Sequence, residues 1–147
     1  RVVDITNPTQ PVEVGFYVTL DSVHGVAVMG SYAYVAADDA GLRVVSIANP
    51  TQPVEVGSYD TPGYAFDMAV SGQYAYVASE SAGIWVTDIS DPSNPVEVGF
   101  YDTVGSAQGV AFSGGYAYVA DKNGGFFILR FTGEPEYYRF NLPLMIR

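Results

Sequence analysis

The residues best suited to chemistry in this chain are its carboxylates: 16 Asp and Glu stand against 6 Lys and Arg, with one histidine and no cysteine. They gather in short turns, Asp38 and Asp39 in "ADDAG", Glu80 in "SESAG" and Asp121 in "DKNGG". Clustered carboxylate oxygens suit Ca2+, but the spacing is not that of an EF-hand loop and the three turns differ. The reading is a solvated turn, with calcium as the alternative and no other cofactor expected. Asp60 and Asp102 recur in "YDT", where an Asp-Thr pair suits hydrogen bonds within its own turn. Acid pairs arise by chance in any acidic chain, so no glycosidase dyad is singled out. His24 aligns with Phe66 and Gln108 at a step of 42 residues, and it has no second histidine with which to build a metal site. The absence of cysteine removes disulfides, thiolate metal sites and a cysteine nucleophile. No G-x-S-x-G, Walker or G-x-G-x-x-G motif occurs, and the expectation is a protein that is not an enzyme.

Aromatic residues are the other candidates, as stacking platforms for sugars. Of the 12 tyrosines, Tyr34, Tyr76 and Tyr118 recur at a fixed step, which suits packing between repeated units. Tyr64, Trp85, Tyr137 and Tyr138 do not follow that rule. With the loop residues Asp21, Ser22, Ser106 and Gln108 they mark where a carbohydrate- or calcium-binding adhesin module would bind. A net charge of −10 repels phosphate and anionic lipid, so nucleic acid is an improbable partner. No apolar run reaches the roughly 18 residues of a spanning helix, and no membrane insertion is expected.

The elements that hold these residues are set by a repeat. Pro8, Pro50 and Pro92 are 42 residues apart, as are Gly15, Gly57 and Gly99. "YAYVA" returns at 32–36, 74–78 and 116–120, and residues 43–84 share 22 identities in 42 with residues 85–126. Each unit reads as four short strands, A to D. Strand A is rich in small residues ("GVAVMG", "DMAVSG", "GVAFSG"), and strand B alternates aromatic and small side chains ("YAYVA"). Strand C is β-branched and aromatic ("GLRVVSI", "GIWVTDI", "GFFILRF"). Strand D, "PVEVGFY", follows two prolines that cannot donate to a ladder and so mark an outer edge. Four strands in about 42 residues predict an all-β, β-propeller-type fold of antiparallel blades, with A innermost and D on the rim.

The segments "GGYAYVAD", "GLRVVSI" and "DISDPSNPVEVGFYDT" resemble the LVIVD repeat, along residues 1–131. That resemblance implies a β-propeller and placement outside the cell or on its surface. It brings no catalytic residues with it.

The strand count gives a half-unit (1–22), units 23–64 and 65–106, a partial unit 107–133 and a tail 134–147: about 3.5 units, an incomplete ring in one chain. Three arrangements fit: a piece of a longer chain with further blades, a closed dimer in which the N-terminal D strand fills the fourth place of a third blade, or a fibre built by the same exchange. Partners are therefore expected to be protein, either a second copy or missing blades. The candidate interaction residues are Val12, Val14 and Phe16 of the N-terminal D strand and Tyr137, Tyr138, Phe140, Leu142 and Leu144 of the tail. The tail reads either as a strand covering the last blade's edge or as an attachment segment. Its "LPLMIR" ending resembles the termini of secreted bacterial surface proteins. The expected role is structural or interactive, with self-assembly, and an accessory domain of a secreted enzyme is a further alternative.

Overall fold

The structure, a computed structural model, describes residues 1–132 and the backbone of 144–145. All regular structure among the described residues is strand. β1 (Val2–Asp4) and β2 (Val12–Gly15) form a two-stranded half-blade. The first complete blade is β3 (Gly25–Met29), β4 (Tyr32–Ala36), β5 (Leu42–Ser46) and β6 (Val54–Tyr59). The second is β7 (Asp67–Ser71), β8 (Tyr74–Ala78), β9 (Ile84–Asp88) and β10 (Val96–Tyr101). The third is β11 (Ala107–Ser113), β12 (Tyr116–Asp121), β13 (Gly125–Leu129) and β14 (Leu144–Met145). Each sheet is antiparallel with its strands in chain order, and β3, β7 and β11 lie in succession against one another on the inner side. The fold is of propeller type, and among the described residues no sheet closes the ring.

Local chemistry explains the blade. The A–B turns need a left-handed residue, and Gly30, Gly72 and Gly114 supply it with φ near +58°. The C–D connection is a turn sealed by its own side chains. Asn49 Oδ1 accepts from the Thr51 amide and hydroxyl at 3.2 and 2.8 Å, and Asp91 Oδ1 does the same with Ser93 at 3.0 and 2.6 Å. The Ser93 hydroxyl and amide hold the Asp91 carboxyl below its ordinary value.

The core lies between blades. Tyr34, Ala36, Leu42 and Val44 of the first blade pack on Met68, Ala75 and Val77 of the second. Tyr76, Ala78, Ile84 and Val86 of the second pack on Val110, Ala117 and Val119 of the third. Each blade thus has a forward face and a rear face, and forward always meets rear.

The exchange arrangements need an empty outer place in the third blade. β14 occupies that place, pairing Phe127 with Met145 and Ile128 with Leu144. Within this chain the edge of β13 is met by its own C-terminal segment, while β2 pairs with β1.

Candidate functional site

The acidic turns work largely through their backbones. Asp38 and Glu80 sit at φ +46° and +42°, unusual for residues with a Cβ. Each is held there by a two-bond bridge to the next blade: Asp38 exchanges hydrogen bonds with Ala65 (3.3 and 3.0 Å), and Glu80 with Ala107 (3.1 and 2.9 Å). Asp121, at the same end of β12, is buried. Burial alone would raise its carboxyl, but the Thr103 hydroxyl and the amides of Gly124, Ser106 and Asn123, at 2.6, 2.8 and 3.0 Å, hold it below its ordinary value. Asp60 accepts from Arg43 at 3.0 Å. No three His, Cys, Asp or Glu among the described residues converge on a common point.

The histidine and most of the ring candidates are tied into the blades. His24 stacks on Phe66, its repeat equivalent in the next blade, at 4.7 Å, with Nε2 3.9 Å from Asp38. Tyr34 and Tyr76 are buried at the blade junctions; Tyr76 stacks on Phe112 at 4.6 Å, and burial pushes its phenol up to about 12. Trp85 stacks on Phe100 at 4.9 Å and donates to the Ala82 carbonyl at 3.1 Å. Tyr64 is exposed. On the rim the blades are joined by a repeated bond: Tyr17 donates to Glu55, and Tyr59 to Glu97 at 2.7 Å.

What distinguishes one region from its repeats is exposure. Val26 and Val28 on β3 are 64% and 60% exposed, whereas Met68, the equivalent of Val26 on β7, is 4% exposed. Ile5 is 70% exposed against 2% for Ile89, 84 residues on. These residues form the rear faces of the half-blade and the first blade. Between them runs a groove of about 360 Å3, lined by Arg1, Tyr17, Val23, Val26, Val35 and Val45 among others. At the opposite end, no blade packs on the forward face of the third blade among the described residues. Phe126 is 45% exposed where Leu42 and Ile84 are fully covered, and it stacks on Tyr118 at 6.1 Å.

Among the sequence candidates, Val12 is as exposed as Val54 and Val96, so its exposure belongs to the strand position. Val14 is half-buried, and Phe16 is exposed under the Arg1 guanidinium, 4.9 Å from the ring centre. Leu144 lies in β14; Tyr137, Tyr138, Phe140 and Leu142 fall outside the described residues. Val3, Ile5, Val26, Val28, Tyr118 and Phe126 were not singled out as interaction residues by sequence reasoning. The signal was available: stepping each buried junction residue by 42 names them.

A family model described as the LVIVD repeat matches residues 1–19, 22–61, 62–103 and 104–129. No curated protein matches the chain. Among solved structures, the computationally designed Ika4 protein is similar at a TM-score of 0.65 and 13% identity, covering 83% of this chain and 74% of that one. The computationally designed Ika8 protein is similar at 0.61 and 12% identity, over 74% of this chain and 33% of that one. A structural genomics protein of unknown function from Bacteroides thetaiotaomicron VPI-5482 is similar at 0.59 and 18% identity, over 78% and 30%. The chain therefore spans about a third of the Ika8 and Bacteroides chains. At these identities the likeness is one of fold.

Proposed function

Because the chain belongs to the LVIVD repeat family, we propose that it is a non-enzymatic structural and interaction module, placed outside the cell or on its surface, that associates through its open blade faces with blades of its own kind. One observation carries this reading. The forward face at Tyr118 and Phe126 and the rear face at Val3 and Ile5 are the two halves of a junction that forms twice inside the chain. Covering one such large apolar side chain contributes about 1.5–3 kcal/mol, so several together favour association. Forward-on-rear contact between copies is heterologous, and it yields a ring or a filament according to whether the rotation closes. The extracellular placement rests on the resemblance of the repeat to surface proteins and on nothing in the geometry.

The test is solution mass by light scattering across protein concentration, with electron microscopy of the same samples. The expected result is a discrete oligomer or a ladder of species that Phe126→Asp and Ile5→Asp each shift towards monomer. A monomer at every concentration up to about 100 µM overturns self-association as the function.

A further inference from the structure

At one end of the molecule three loops lead from an outer strand into the next inner strand: residues 16–24, 60–66 and 102–106. They enter β3, β7 and β11, which lie against one another in succession, so the loops stand in a row. Each loop carries a threonine at the same repeat position, and Thr61 and Thr103 are buried. The residue after the threonine is turned outward. It is Leu20, Pro62 or Val104 at a step of 42, and Leu20 and Val104 are each 83% exposed. Tyr64 adds an exposed ring to the middle loop. Turns favour Gly, Pro, Asn, Asp and Ser, so Pro62 is ordinary there, whereas Leu20, Tyr64 and Val104 are not what a turn asks for. The second and third loops each join two four-stranded blades, so their exposure owes nothing to the first or last residue of the chain.

The ground between these tips is anionic. Asp60 and Asp102 stand two residues before the second and third tips, and Asp21 directly follows the first. Asp39 lies at the same end, in a B–C turn pressed on the middle loop: a Cβ on Gly41 of that turn would stand 2.5 Å from the Thr61 amide nitrogen. Asp39, Asp60 and Asp102 are exposed. Arg43 is held by Asp60 at 3.0 Å and Glu55 at 3.6 Å, and the next repeat has Trp85 in its place. Lys122, in the third B–C turn, is the other Lys or Arg at this end among the described residues.

We propose that this end face binds a lysine- or arginine-rich segment of another protein, the aliphatic stems of its cations lying on Leu20, Pro62 and Val104 and their charged heads on Asp39, Asp60 and Asp102. The occupant follows from charge complementarity. Two copies of this chain cannot meet through this end without setting like charges face to face, and the same carboxylates repel nucleic acid and anionic lipid. The loop end is separate from the open blade faces, and such a partner leaves those faces free.

The probe is a short synthetic peptide of alternating lysine and leucine, labelled with a fluorophore and titrated with the full chain at low salt while anisotropy is read. Saturable binding is expected, weakened about tenfold by Leu20→Ser with Val104→Ser and about tenfold by Asp60→Asn with Asp102→Asn. Val54→Ser removes an exposed apolar side chain from the rim instead and is expected to change nothing. In the isotope-labelled chain the peptide is expected to shift amides of the three loops. Absence of binding at millimolar peptide overturns the proposal, as does equal binding of a glutamate–leucine peptide. Affinity that Leu20→Ser with Val104→Ser leaves unchanged also overturns it, since general attraction to an acidic chain would then account for the binding. Adsorption to phosphatidylcholine vesicles that this same pair of substitutions abolishes assigns the tips to a membrane and overturns it too. The light-scattering mass reads association through the blade faces, and its outcome is independent of these.

Discussion

The junction between the second and third blades and the exposed forward face of the third are the same surface in two states. In the junction, Ile84 and Val86 are fully buried against the next blade; one unit later, Phe126 is exposed and Ile128 half-buried, and no further blade stands in front of them among the described residues. The residues differ little in type, so their energetic weight is set by whether a rear face is present. The largest expected effect breaks this comparison directly. Ile84→Ala leaves a cavity in a closed junction and is expected to cost about 2–5 kcal/mol in chemical denaturation. Phe126→Ala, a larger truncation, is expected to cost clearly less in the monomer, about 1 kcal/mol, because close to half of its surface is already in water. Equal losses at the two positions would mean that the forward face is closed in solution.

A smaller effect sharpens the comparison on the rim. Gly15, Gly57 and Gly99 recur because each rim strand runs close against a neighbouring segment later in the chain. A Cβ on Gly57 would stand 2.2 Å from the Pro92 carbonyl oxygen, which belongs to a turn fixed by Asp91. On Gly99 it would meet the edge of the Phe131 ring at 3.0 Å. A backbone carbonyl in a sealed turn cannot give way, whereas a half-exposed ring can pivot. Gly57→Ala is therefore expected to cost about 1–3 kcal/mol in thermal or urea unfolding, and Gly99→Ala clearly less. A reversed order would show that the third blade's rim is the more tightly held of the two.

Much of this was legible in the sequence, and the reasons are physical. Strand alternation, the glycine turns and the proline-marked rim are local properties that recur every 42 residues, so the blade and its strand order can be read from pattern. The forward and rear faces are not local, since a face is defined by what stands in front of it. Val26 and Met68 look alike as residues, and only the missing neighbour separates them. The acidic turns were legible only in part, for a related reason. They read as solvated turns, while the backbone bridges and positive φ of Asp38 and Glu80 are features that composition does not display. The place of β14 was one of two readings of the tail, because "LPLMI" carries no repeat register by which to align it.

The smallest effect concerns the rim bond that links consecutive blades. Tyr59 is drawn away from solvent and donates to Glu97; burial first, and then the Glu97 carboxylate beside it, pushes its phenol well above the ordinary value of 10. The phenol is neutral when protonated, so a raised folded value means that the folded state holds this proton more tightly than the unfolded chain does. Its contribution is complete below pH 10 and is lost as pH climbs from there towards the folded value. Tyr59→Phe keeps the ring and removes the hydroxyl, leaving Glu97 free to turn to water. The expected cost at pH 7 is about 1 kcal/mol, as for one hydrogen bond to a charged acceptor at a partly covered site. The more telling measurement is Tm between about pH 9 and pH 11. The unmodified chain is expected to lose stability across that range more steeply than Tyr59→Phe, so that the two curves converge at high pH. The buried Tyr76, itself raised to about 12, remains in both proteins and supplies the shared part of the decline. Parallel curves would show that the Tyr59–Glu97 bond does not join the first and second blades in solution. The rim would then contribute nothing to the junction, and its stability would rest on the packed faces alone.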